Sequence, residues 1–216
     1  MTIKKYTFKL KFPKKYIRFI KHIKPLTGSE WDCKAADFRN NYHGIGADRD
    51  RLKSIIKKQL EKLQGNECAF CGLDLETRVS QIEHIAPKGA KLYPQFTFEK
   101  NNLILACSLC NGFEKKGTAN TITTLDKVNY KNCAFKIIHP YFDNPDDHLE
   151  YEEDNGLRFL IRAKSDKGVN TIELFELDSV AMTKERYKDA LAAKEKLSPD
   201  FEQLIKDTRS RNYSTR

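Results

Sequence analysis

The sequence predicts an α+β fold: a small module stapled by sulfur, set between flanks that are mainly helical. Three observations predict it. Two Cys-x-x-Cys pairs, Cys68/Cys71 and Cys107/Cys110, bracket a segment too short to bury a core of its own. Residues 79–85 alternate (Val79, Gln81 and Glu83 against Ser80, Ile82 and His84) as a short strand does. Residues 48–64 instead set Leu52, Ile55, Ile56, Leu60 and Leu63 at helical spacing, with Gly65 as a stop.

The elements follow in chain order. Residues 1–24 form a basic arm with nine Lys or Arg and no acid. There Tyr6, Phe8, Leu10 and Phe12 alternate with Thr7, Lys9 and Lys11, the pattern of a half-buried strand that Pro13 would end. Such an arm either contacts a nucleic-acid backbone, or is a lysine-guarded edge strand or docking surface for another subunit. Residues 25–66 are a helical N-terminal region, and residues 67–120 hold the stapled module. Within the module, residues 86–101 carry Pro87, Gly89 and Pro94 and read as a loop, with Tyr93, Phe96 and Phe98 as core. Residues 121–216 form a C-terminal region of hairpin and helices, expected to bind a partner. Asn155–Gly156 reads as a hairpin turn between residues 148–154 and 157–163. Residues 171–177 suit helix or strand equally, residues 183–197 read as a helix, and Ser198–Pro199 caps a last one. The tail 209–216 is expected to fray.

Length and composition bound the rest. A chain of 216 residues suits one domain, or one domain with a small appended module. Hydrophobic content of 39% against 32% charged residues predicts a modest core. No apolar run approaches the roughly 20 residues needed to cross a bilayer, so no membrane partner is expected. The net charge of +9 lies in the arm, since residues 25–216 hold 30 basic and 30 acidic groups. Residues 143–154 carry seven acids and no Lys or Arg, and should repel DNA.

Four cysteines in two such pairs match the ligand set of a tetrahedral structural zinc. The lysine-rich start lacks a continuous apolar stretch, which predicts no secretory signal and a cytoplasmic, reducing location. There, paired cysteines favour metal over disulfide. Cys33 and Cys133 have no partner at ligand spacing and read as small buried apolar groups.

Between the pairs stand Glu83–His84 with Ile85, Pro87 and Gly89, then Asn102–Leu103; Asn111 follows Cys110 directly, ahead of Lys116–Gly117. On these residues, from about 68 to 117, the chain resembles the HNH endonucleases of the ββα-metal (His-Me finger) group. The resemblance implies a zinc-stapled ββα-metal core in which His84 is the general base. It implies Glu83 and Asn111 as ligands of a catalytic Mg²⁺ or other divalent ion, and Asn102 as the residue that steadies the histidine's loop. Glu83 stands where Asp is common and Asn111 where the name-giving His would be, which bears on metal preference. The helix before C-A-F-C, the run I-E-H-I-A-P-K, and the later H-P-Y-F-D-N-P-D-D-H-L and T-I-E-L-F-E-L extend the resemblance to about residues 27–190. They point toward the HNH nuclease subunits of Septu anti-phage defence, including retron-attached forms. This implies a DNA substrate, an ABC/SMC-type ATPase partner and a hetero-oligomer.

The residue types suit that chemistry. A neutral imidazole takes a proton from water near pH 7. Carboxylate and amide oxygens hold a hard cation, whereas thiolates hold zinc. Neighbours on a strand face opposite ways, so Glu83 and His84 can act together only if the strand ends or bends there. Asn111 and Lys115 are expected on one helix face, and Lys88, Lys115 and Lys116 as nucleic-acid contacts. His139 and His148 carry no assigned role. Two rivals remain: an autonomous restriction-type nuclease, and a catalytically silent zinc module that binds nucleic acid or protein.

Overall fold

The computed structural model describes residues 2–7, 9–32, 45–112, 115–154, 157–194, 203–204 and 206–208. Among them the fold is α+β, with helices around three separate two-stranded antiparallel sheets.

The arm departs from the expected strand. Residues 2–7 and 9–12 join no ladder, and side chains and an isolated carbonyl take several of their backbone groups instead. Tyr151 Oη takes the Ile3 N–H at 3.0 Å, Pro140 O takes that of Tyr6 at 2.8 Å, and the Gln59 amide pairs with both N–H and C=O of Lys11. The alternation persists as burial of Tyr6, Leu10 and Phe12. Pro13 does not stop a strand; it precedes helix α1 (Lys14–His22), whose buried Tyr16 and Phe19 turn inward as the helix packs on α2.

Helix α2 (Ile45–Gln64) begins three residues before the expected start and ends as the sequence predicts, with Gly65 at φ +60°. Leu52, Ile56 and Leu60, one every four residues, form its fully buried stripe. At its end the buried Gln64 amide accepts from Leu105 N–H at 2.7 Å and donates to Leu105 C=O at 2.9 Å. This side chain stands in for a neighbouring strand and docks α2 onto the central sheet.

That sheet pairs β1 (Ser80–His84) with β2 (Leu103–Cys107), running from Ser80 opposite Cys107 to His84 opposite Leu103. Every residue of β2 is buried. The chain then turns directly into α3 (Ser108–Asn111), one turn of helix. It stops at Gly112, whose ψ of 152° is extended, so Asn111 and Lys115 do not share a helix face as expected.

Downstream, β3 (Ile122–Thr124) pairs with β4 (Ala134–Phe135), and β5 (Leu149–Asp154) forms a hairpin with β6 (Leu157–Ala163). The expected turn residues Asn155–Gly156 lie outside the described residues, as do Cys33, Ser198–Pro199 and the 209–216 tail. The ambiguous 171–177 stretch lies mostly in helix α4 (Asp166–Phe175), which starts where Ser165 Oγ accepts from Gly168 N–H. Helix α5 (Val180–Lys194) starts three residues before the expected Thr183, and the predicted end, residues 195–197, lies outside the described residues. Arg78 joins α5 to the module through Asp189 at 2.9 Å and Glu185 at 2.7 Å, and Phe175 of α4 stacks on Phe70 at 4.3 Å. Cys133 is buried, as the sequence suggested.

Candidate active site

The sulfur cluster is assembled from two turns. Gly72, at φ +73°, closes the first Cys-x-x-Cys turn with its N–H on Cys68 C=O at 2.9 Å. The second pair spans the junction from β2 into α3. All four cysteines are buried, and their sulfurs lie within 4.8 Å of one another, so they could hold a zinc ion. Hydrogen bonds shared among the four sulfurs lower the Cys107 thiol and raise those of Cys71 and Cys110, so the cluster favours one thiolate shared by its neighbours.

A cleft of about 530 Å³ opens beside β1 and is lined by Glu83, His84, Asn111, Gln81, Lys88 and the face of α2 that carries Lys53 and Lys57. Strand β1 ends at His84, and this lets adjacent Glu83 and His84 line the same cleft. His84 is nearly sealed from solvent, with Trp31 packed edge-on at 4.7 Å. Its Nε2 lies 2.9 Å from Thr97 C=O, which can only accept. Nε2 therefore carries the hydrogen, and Nδ1 is the ring's basic nitrogen. Burial pushes this imidazole down to about 3, so the ring is neutral at pH 7.

Glu83 keeps 14% of its side chain exposed to the cleft, and burial lifts its carboxyl above the usual range. The Lys116 ammonium at 3.5 Å and the His84 backbone N–H offset only part of that rise. Lys116 itself is 0% exposed, which corrects the expectation that it contacts nucleic acid: its cation serves Glu83. Lys115 is also diverted, donating to Phe175 C=O at 3.0 Å and pairing with Glu176 at 3.3 Å, so it ties α4 to the module. Lys88 does reach the cleft.

Asn111 Nδ2 donates to Gln81 Oε1. Gln81 and Glu83 share one face of β1, and Asn111, with its amide oxygen, and Glu83, with its carboxylate, line the same cleft. Both are hard donors of the kind a small divalent cation takes, although one Glu83 oxygen already faces Lys116.

Asn102 is fully buried behind His84. Its Nδ2 donates to Ala86 C=O and Phe96 C=O, both at 3.0 Å, and its Oδ1 accepts from Ala86 N–H at 2.6 Å. It thus clips together the two ends of the loop that follows the histidine. Behind it stands a relay that the sequence did not reveal. His139 Nδ1 accepts from Tyr141 N–H at 3.2 Å, so Nε2 donates to the Tyr130 hydroxyl at 3.1 Å, which donates to Asn102 Oδ1 at 2.8 Å. His148 pairs with Ser165 Oγ at 2.8 Å, away from the cleft.

The relay makes stability depend on pH. Burial pushes His139 down to about 3, against roughly 6.5 for an unfolded histidine. The unfolded chain takes up the proton first, so the stabilisation is complete above roughly pH 6.5 and is lost as pH falls from there through about 3. The unfolding free energy should drop between pH 7 and 5, by up to about 1.4 kcal/mol per pH unit for each such histidine. His139→Gln should flatten that slope in urea titrations; an unchanged slope would show that His139 does not set it.

Trp31, Asp32, Lys53 and Lys57 complete the cleft and were missed in the sequence, where nothing local links them to Glu83 and His84. Gly28 makes their approach possible. At φ +89°, a Cβ there would lie 1.9 Å from Lys88 O, so only glycine lets the Trp31 turn close on the loop after β1.

No protein-family model matches the chain. It is similar to Septu protein PtuB of Bacillus mycoides (strain KBAB4), 27% identical over 154 residues, covering 62% of this chain and 50% of that protein. It is also similar to the "Retron Vc95 putative HNH endonuclease" of Vibrio cholerae serotype O1 biovar El Tor, 33% identical over 61 residues, covering 28% of this chain and 30% of that protein. The chain spans half or less of the length of these relatives. Both matches agree with the resemblance read from the motifs.

Proposed function

We propose that this chain, which resembles PtuB and a retron HNH nuclease, is a metal-dependent endonuclease that hydrolyses DNA phosphodiester bonds on a zinc-stapled ββα-metal core. The observation that carries the reading is the single cleft lined by His84, Glu83, Asn111 and Lys88. Hydrolysis needs a base to take a proton from the attacking water, and His84 Nδ1 is the nitrogen left to do so, with Thr97 C=O holding the other. Burial alone would make His84 a weak base; the negative charge of a bound phosphate works the other way and favours the imidazolium as it forms. Asn102, braced by Tyr130 and His139, keeps the loop after His84 in place.

Glu83 and Asn111 are the residues that would hold a Mg²⁺ or related ion, and Lys88 lies where it can meet phosphate. When bound, such an ion neutralises charge on the leaving oxygen. Lys116 keeps Glu83 oriented and partly neutralised until then. From the resemblance we add an ABC/SMC-type ATPase partner (PtuA-like), engaged through residues 121–216, and a cytoplasmic anti-phage role.

Supercoiled plasmid tests the reading. The zinc-loaded chain, alone and with the ATPase that co-purifies from its host, should nick plasmid when Mg²⁺ is supplied and not when Mg²⁺ is simply left out. The nicks should be resealable by DNA ligase, as 5′-phosphate and 3′-hydroxyl ends require. Plasmid left intact in every condition would contradict the proposal.

A further inference from the structure

Asp32 and Lys53 belong to no motif, yet they meet Lys88 in the lining of the cleft. Lys88 Nζ lies 2.6 Å from Asp32 Oδ2, and Lys53 Nζ lies 4.0 Å from Asp32 Oδ1. One carboxylate therefore lies between two cations that come from different elements, α2 and the loop after β1. Lys53 does not depend on Asp32 for its position: its Nζ donates to Trp31 C=O at 3.2 Å and stands 4.9 Å from the centre of the Trp31 ring. Lys88 has its backbone packed close against Gly28, and its Nζ is held by Asp32. Asp32, by contrast, is 65% exposed, so it can swing out into water. Lys57, one turn along α2, adds a third cation to the same wall.

We propose that Lys53 and Lys88 form a seat for a backbone phosphate of the DNA strand in this cleft, and that the Asp32 carboxylate competes with that phosphate for the seat. The inference rests on the nuclease reading and deepens it by saying how the strand is held. A carboxylate and a phosphate offer similar paired oxygens to ammonium groups, so one can replace the other. Lys53 is held in place by Trp31 and Lys88 by Asp32 itself, so the strand enters by taking over the place of the Asp32 carboxylate, while Lys57 meets the next stretch of backbone. The two signs of charge then have opposite effects on binding.

Fluorescence anisotropy with a labelled DNA duplex of about 20 base pairs, Mg²⁺ left out, reads both signs. For the zinc-loaded chain, Lys53→Met and Lys88→Met should each weaken binding about tenfold and reduce the salt slope by about one. Asp32→Asn should tighten binding about threefold or more. Zinc content and melting temperature check that each variant is folded; Asp32→Asn, on an exposed side chain, removes charge and little else. Asp32→Asn binding no tighter than the unaltered chain would overturn the proposal, and so would lysine variants that bind as well as it does. If plasmid is cut but these variants bind alike, the seat is wrong and the nuclease reading stands. If binding shifts as stated but no condition cuts plasmid, the seat stands and the nuclease reading falls.

Discussion

Cys68→Ser is expected to lose bound zinc and to unfold the module of residues 67–120. The elements there cannot stand alone. A two-stranded sheet is marginal in water, and α3 is a single turn of four residues. Four sulfurs within 4.8 Å of one another gather the end of β2, the start of α3 and the first cysteine turn, and a zinc ion held there would fix their order. Structural zinc in small modules contributes about 10–16 kcal/mol, as much as the whole stability of an ordinary domain. Serine offers a poor ligand and also removes the sulfur that accepts the Cys107 N–H at 3.4 Å. Zinc released per chain and the circular-dichroism melt give the readout. A variant that is folded and zinc-free would contradict the staple.

Much of this was legible because it is local. The α2 stripe, the β1 alternation, the β5–β6 strands and the cysteine spacing each repeat within a few residues, so periodicity exposes them. What escaped is non-local. Trp31, Asp32 and Lys53 reach the cleft by tertiary packing, from outside the motif. Tyr130 and His139 brace Asn102 from 28 and 37 residues away. Lys116 read as a nucleic-acid contact because nothing nearby in the chain announces that Glu83 has a buried cation beside it. The arm carried the alternation of a strand, but alternation reports which side is buried and says nothing of what takes the backbone hydrogen bonds.

His84→Ala is expected to slow DNA nicking at least ~100-fold, the usual worth of a general base. The ring sits at the end of β1 opposite Leu103, while Cys107 pairs with Ser80 at the other end, so the sulfur cluster should keep its metal. Trp31 loses a packing partner and Thr97 C=O its bond from Nε2, but the backbone bonds of β1 and the four Asn102 hydrogen bonds remain. Glu83, Asn111 and Lys88 are untouched, so DNA should still bind. The deficit should therefore fall on turnover rather than affinity. The most direct measurement is the single-turnover nicking rate of His84→Ala beside the unaltered chain, with zinc per chain and duplex affinity measured on the same samples. The expected result is full zinc, unchanged DNA affinity and a rate at least ~100-fold lower; equal rates at equal zinc would mean that this imidazole does not activate water.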